Sequence, residues 1–270
     1  MRRAALGLSL LLTTGCFTTT GINRYQPNMY SVDQEIGMGK QMSKEIEKET
    51  PLIRHQRLTQ LVQGIGQTLA EHAQDPEFTQ YPYTFKVVDS SEVNAFSLPG
   101  GPVYVNMGLL ELAENEDELA AVVAHEMGHV AARHATEQMT TVELSQLVLM
   151  ITLSTVGGGI PPIAMEGTRL GYVLGLLRYS RSMESEADRL GLQLMESAGY
   201  DPHAMVTMLQ HIQDERRAEP VLLERLMSSH PLPDERIQAV EAELPKEPED
   251  RMSRHASPPF ERTKVLLVKD

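Results

Sequence analysis

The stretch His125-Glu126-Met127-Gly128-His129 decides how this 270-residue sequence is interpreted, because it places two imidazoles four residues apart. Residues at that spacing share one face of an α-helix, so both imidazoles can bind one Zn²⁺. A catalytic zinc site has three protein ligands and leaves its fourth position to water. Glu126 lies about 100° around the helix from His125, within reach of that water, and is the predicted general base. The alternative is a chance match on a surface helix, since the pattern is short.

The residues around this motif predict a helix from about Glu116 to Gln138. Asn115 can cap its N-terminus, and Glu118 follows three residues later. Acidic side chains in the first turn suit the positive end of the helix dipole. The helix is expected to bury one apolar face, which the motif interrupts with polar atoms that need partners.

A third zinc ligand does not follow within the same helix, because Ala132 and Ala135 stand where one class of zinc proteases has glycine and histidine. The best candidate is Glu184, in the segment from Ser180 to Gly191, which also has the composition of a helix start. Small residues on the same helical stripe, at 187 and 191, would allow close approach to the histidine helix.

Two further carboxylates in this segment have different expected roles. Asp188 lies one turn from Glu184 on the same face. It could orient a ligand imidazole through the second ring N–H, or act as an acid on the tetrahedral intermediate. Glu186 points about 200° away from Glu184 and is expected to be solvated or salt-bridged. The alternative for all of them is an ordinary acidic helix start.

The chain resembles the HtpX-like and CAAX-prenyl-protease-related zinc endopeptidases, especially their periplasmic members. Four segments carry the resemblance: 93–101, 125–134, 180–191 and 230–236. It implies one Zn²⁺ per chain bound by His125, His129 and Glu184, with Glu126 as base and Asp188 as proton donor. It also implies an α+β, predominantly helical, zincin-like fold with a small β-sheet whose edge strand lines the cleft.

The resemblance further implies a substrate-binding strand beside that cleft. Residues 102–106 have the composition of a strand and follow a glycine pair. An unpaired strand edge can receive a peptide by strand addition. The residues assigned to this role are Asn94, Gly100, Gly101, Val103, Tyr104 and Val105. A plain hairpin without contact to substrate is the alternative.

His230 is interpreted separately. The resemblance implies that the matching histidine of periplasmic relatives can replace water on the zinc and so keep the site inactive. The alternative is a loop histidine fixed by Pro231 and Pro233.

The N-terminus predicts a lipoprotein signal peptide over residues 1–15. Two arginines precede an apolar run, Ala4 to Leu12, which is too short to span a bilayer. Cys16, the only cysteine, follows directly after Gly15 and is the predicted lipidation site, with a plain secretory signal as the alternative. The residue after Cys16 is Phe17 rather than aspartate. By resemblance to the sorting of enteric lipoproteins, this implies the outer membrane, facing the periplasm.

The rest of the chain is expected to comprise a tether (16–30), one metallopeptidase domain (31–245) and a C-terminal tail (246–270). Within the domain, residues 31–48 are predicted as a first amphipathic helix. The net charge of −13 argues against nucleic acid and against adsorption on anionic lipid, so the acyl chains would supply the membrane attachment. The apolar stretch Val142 to Val156 contains polar residues and is not a membrane span; it is either a lid or interface, or a buried helix.

Together these patterns predict a zinc endopeptidase that cleaves unfolded or misassembled cell-envelope proteins in bacterial protein quality control. A periplasmic chaperone or assembly factor, binding clients beside an inert, occluded zinc, is the main alternative. A purely structural zinc with four closed ligands is the third possibility. The sequence predicts no oligomeric state and no cleavage preference.

Overall fold

The computed structural model describes residues 22–23, 26–156, 179–218, 230, 234–244 and 260, with only the backbone of 149–156. Cys16, the signal peptide and nearly all of the C-terminal tail lie outside these residues. In the described part, α1 (Val32–Glu49), α2 (Gln56–His72) and the single turn α3 (Pro76–Thr79) precede three strands, β1 (Thr84–Val88), β2 (Ala95–Ser97) and β3 (Pro102–Asn106). Six helices follow: α4 (Met107–Leu112), α5 (Glu116–Ala131), α6 (His134–Val156), α7 (Arg181–Ala198), α8 (His203–Ala218) and α9 (Asp234–Glu243). The predicted helical α+β fold is confirmed.

Helix α1 follows the predicted limits of 31–48 to within one residue. Ser31 caps it through a reciprocal box, in which the Gln34 N–H donates to the Ser31 hydroxyl and the Gln34 side chain accepts from the Ser31 N–H. This arrangement satisfies two backbone donors that a helix start would otherwise leave unpaired.

Helix α5 forms the centre of the molecule and packs against α7, α8, α2 and β2. As predicted, Asn115 caps it by accepting the Glu118 N–H at 2.9 Å. Its approach to α7 is close because glycines stand at the crossing. A Cβ on Gly128 would lie 2.8 Å from the Ala187 carbonyl oxygen, and a Cβ on Gly191 would lie 3.1 Å from the backbone nitrogen of His125. Glycine therefore sets the distance between the two helices that carry the predicted ligands.

The predicted continuation of this helix to Gln138 is wrong, since α5 ends at Ala131 and α6 begins at His134. Arg133, between them, has φ = 59° and is the one described non-glycine residue with positive φ. Two contacts hold its side chain. The Nε lies 2.9 Å from Glu35 Oε1, and a guanidinium NH₂ group donates to the Tyr30 carbonyl. These contacts with the N-terminal part of the domain compensate for the unfavourable backbone conformation.

The sheet has the order β1-β3-β2, with β3 parallel to β1 and antiparallel to β2. The prediction that Val103, Tyr104 and Val105 form an unpaired edge is therefore wrong. Both sides of β3 are hydrogen-bonded, and these three side chains are fully buried. The outer strand on the α5 side is β2, which joins β3 through the left-handed turn at Gly100 and Gly101, with φ of 78° and 117°. The backbone carbonyl of Asn94, just before β2, accepts the backbone N–H of Asn106 at 3.0 Å.

The apolar stretch in α6 is not buried where its side chains are described. Val142, Leu144, Leu147 and Val148 are 38% to 63% exposed. The buried-helix interpretation is wrong for these residues. None of the helices in the described part of the chain combines the length and apolar character that a bilayer crossing requires.

Candidate metal centre

The residues predicted as metal ligands meet at one buried point between α5 and α7. His125 and His129 project from α5, Glu184 projects from the first turn of α7, and His230 enters from the segment before α9. One nitrogen or oxygen from each of these four residues lies within 4.8 Å of all the others. The predicted ligands are thus brought together, and His230 joins them.

The distances between these atoms suit a small tetrahedral ion. His125 Nε2 lies 3.0 Å from His129 Nε2, and both lie within 3.5 Å of a Glu184 oxygen. His230 Nδ1 lies 3.5 Å from His125 Nε2 and 3.0 Å from Glu184 Oε1. Ligand bonds of about 2.0 to 2.1 Å in a tetrahedron would place neighbouring donor atoms about 3.3 Å apart. The donor set and its spacing therefore fit Zn²⁺.

His230 lies where the sequence prediction leaves room for a water molecule. Its Nδ1 faces the other ligands, and its Nε2 lies 3.5 Å from Glu126 Oε1. The side chain is only 3% exposed. In this arrangement both the fourth coordination position and the predicted base are covered by the same imidazole.

Glu126 is held by a residue that the sequence analysis did not identify. The Ser97 hydroxyl, on β2, donates to Glu126 Oε2 at 2.9 Å. Ser97 lies within the segment that carries the family resemblance, but no spacing connects it to the metal motif. Only the packing of β2 against α5 brings the hydroxyl to the carboxylate.

Asp188 contacts a ligand imidazole and an arginine. Its Oδ1 lies 2.9 Å from His125 Nδ1, and Arg236 donates to both carboxylate oxygens, at 2.6 and 2.7 Å. The Arg236 Nη1 also lies 2.7 Å from Glu184 Oε2. Arg236, from α9, was missed as a site residue. It ends one of the four segments that carry the family resemblance, but no spacing connects it to the metal motif.

The charges of the cluster shift the pKa values of its members. Burial alone would raise the pKa of the Glu184 and Asp188 carboxyls, but neighbouring positive charges lower both. The charges of His230 and Arg236 lower the pKa of Glu184, and those of Arg236 and His125 lower the pKa of Asp188. Burial and the charge of Arg236 lower the pKa of His125, yet its carboxylate partners outweigh them and raise it to about 9. Because zinc binds only the neutral imidazole, metal binding at neutral pH would release a proton from this residue.

An apolar cavity adjoins the cluster. Its empty volume is about 470 Å³, including its open mouth. Its polar end is formed by His125, Glu126, Asp188, His230 and Arg236, and the remainder is lined by apolar side chains, four of them from α8. A cavity of this composition suits an apolar side chain next to the reacting centre.

Comparison with known proteins identifies the class to which this fold and site belong. The family model described as Peptidase family M48 matches residues 56–244, which include every candidate ligand. The chain therefore belongs to peptidase family M48, and the resemblance to zinc endopeptidases predicted from its motifs is confirmed.

Individual relatives give the same result. The chain is 32% identical over 215 residues to the beta-barrel assembly-enhancing protease of Escherichia coli and 33% identical to that of Yersinia pestis, each alignment covering 77% of this chain and 43% of the relative. It is 33% identical over 184 residues to the mitochondrial metalloendopeptidase OMA1 of Schizosaccharomyces pombe, covering 67% of this chain and 51% of the relative. The chain thus spans about half the length of these relatives, or less.

Proposed function

We propose that this protein is a zinc-dependent endopeptidase that cleaves unfolded or misassembled cell-envelope proteins. The observation that carries the proposal is the buried cluster of His125, His129, Glu184 and His230 donor atoms, with the Glu126 carboxylate beside it. Two imidazoles and one carboxylate form a ligand set of catalytic zinc sites, and a further carboxylate beside them supports the role of general base.

The first three of these residues would hold the metal. A zinc ion there would supply Lewis-acid chemistry, polarising a peptide carbonyl and lowering the pKa of a water molecule. Glu126 accepts the proton of the attacking water and passes it to the leaving amine, with Ser97 holding one of its oxygens in place. Of the two roles considered for Asp188, orientation of His125 fits its contacts better than proton donation, because both carboxylate oxygens are already engaged.

The site as described is closed, and we propose that it is latent. His230 supplies a fourth donor atom and faces Glu126, so water and substrate gain access only when this residue moves away. A mobile fourth ligand would let one zinc site exist in an inert and an active form.

The substrate and the location rest on the relatives and on the sequence. Two of the bacterial relatives are named for β-barrel assembly, which supports an envelope location for this chain. With the predicted signal peptide, we propose lipid on Cys16 as the anchor to the outer membrane, facing the periplasm. A bound peptide would lie along β2, which has a strand partner on one side only among the described residues. The apolar cavity would favour cleavage next to a large apolar side chain.

Hydrolysis of casein, with the zinc content of each protein measured alongside, tests the proposal. Wild type is expected to cleave casein slowly and His230→Ala to cleave it faster. The double variant His230→Ala, Glu126→Gln is expected to be about 10² to 10⁴ times slower than His230→Ala while retaining one zinc. Activity that survives Glu126→Gln would contradict the assigned base. If no zinc-loaded variant cleaves casein, the chaperone or assembly role with inert zinc becomes the better account.

A further inference from the structure

The break between α5 and α6 places a second histidine behind a metal ligand. His134, the first residue of α6, is fully buried, and its Nδ1 lies 2.8 Å from His129 Nδ1. Had α5 continued as a regular helix, residues 129 and 134 would lie about 140° apart around its axis and could not meet in this way. The left-handed Arg133, tied to Glu35, therefore creates the contact.

The hydrogen-bond chain continues to a carboxylate. His134 Nε2 lies 3.3 Å from Glu186 Oε2, on α7, and the Gln26 side-chain amide also donates to this oxygen at 3.3 Å. Glu186 is 24% exposed, so it lies at the surface end of a chain that begins at the buried cluster. The sequence predicted Glu186 to be solvated or salt-bridged and did not predict this contact with His134.

The proton positions along this chain follow from its two ends. His129 Nε2 faces the metal cluster, so in a metal-bound neutral ring the proton lies on Nδ1, which donates to His134 Nδ1. The His134 proton then lies on Nε2, from which it can be donated to the Glu186 carboxylate. Each nitrogen thus has a partner of the correct kind, and one carboxylate determines both tautomers.

We propose that His134, backed by Glu186 and brought into place by the Arg133 break, is a positioning residue that orients His129 for metal binding. This inference rests on the proposed zinc site. His125 is oriented directly by the Asp188 carboxylate, whereas His129 is oriented by His134, which in turn contacts the Glu186 carboxylate.

Zinc affinity of the full chain, measured by competition with a chromophoric chelator, tests the proposal. His134→Phe removes the acceptor for the His129 N–H and is expected to weaken zinc binding by about 10- to 100-fold. His134→Asn, whose Oδ1 can occupy the place of the imidazole Nδ1, is expected to recover much of that loss. Glu186→Ala should weaken binding less, by at most about tenfold. His72→Phe is the matched control, because His72 is exposed at the end of α2 and should leave the affinity unchanged.

The absorption spectrum of bound Co²⁺ separates positioning from simple packing. A reoriented His129 is expected to change the visible bands in His134→Phe and Glu186→Ala, whereas lost packing would lower only the stability of the metal-free protein. Wild-type affinity and an unchanged cobalt spectrum in Glu186→Ala and in folded His134→Phe would overturn the positioning role. If wild type itself bound no zinc, the proposed function would fail instead.

Discussion

At the scale of single residues, Arg236 joins two buried carboxylates at the predicted metal site. Its guanidinium binds Asp188 through two hydrogen bonds and also pairs with Glu184, all three side chains being buried. His125 and His129 could be predicted from helical spacing, and Glu184 from the small residues on its helical stripe and from the family resemblance. Arg236 could not, because no residue spacing or helical stripe connects it to Asp188, 48 residues earlier in the chain.

Replacing this arginine should be costly in the metal-free protein. Arg236→Met leaves two buried carboxylates without their cation and is expected to lower the free energy of unfolding by about 3 to 5 kcal/mol, as measured by urea denaturation. Arg181→Met is the matched control, since the Arg181–Glu235 pair is more than 70% exposed on both sides and should contribute at most about 1 kcal/mol. Equal effects of the two variants would show that Arg236 is not part of a buried charge cluster.

At the scale of secondary-structure elements, the crossing of α5 and α7 sets the geometry of the ligands. Close packing could be predicted from Ala187 and Gly191, but the contribution of Gly128, inside the metal motif itself, could not. The end of α5 at Ala131 could not be predicted either, because the backbone of Arg133 depends on Glu35, a partner 98 residues away. The central place of β3 was missed for a similar reason: strand composition does not reveal which strands lie beside it.

The helix crossing can be tested with glycine substitutions. Gly128→Ala would force a methyl group against the Ala187 backbone and is expected to destabilise the protein by about 1 to 3 kcal/mol. In Gly64→Ala, on α2, the added carbon has no heavy atom within 4 Å, so the better helix propensity of alanine should stabilise by about 0.5 to 1 kcal/mol. Thermal and urea unfolding of both variants would measure these changes. A neutral Gly128→Ala would mean that the two helices are not in close contact.

At the scale of the whole molecule, the metal cluster joins parts of the chain that are far apart in sequence. Two ligands come from α5, one from α7 and one from His230. An ion bound to all four should therefore stabilise the folded domain, by about 2.7 kcal/mol when free zinc is 100 times its dissociation constant. Removal of zinc with a chelator is expected to lower the unfolding temperature, and zinc should restore it. Glu184→Ala keeps three imidazoles but loses the carboxylate, so it should require more zinc for the same stabilisation. A response equal to that of wild type at every zinc concentration would contradict the ligand assignment.

The central claim is that His230 closes the coordination sphere of a zinc held by His125, His129 and Glu184. X-ray absorption spectroscopy at the zinc edge tests it most directly, because imidazole rings give a distinct scattering pattern that can be counted. Three imidazoles are expected in wild type and two in His230→Ala. Two imidazoles in wild type, with the same spectrum in His230→Ala, would contradict the claim.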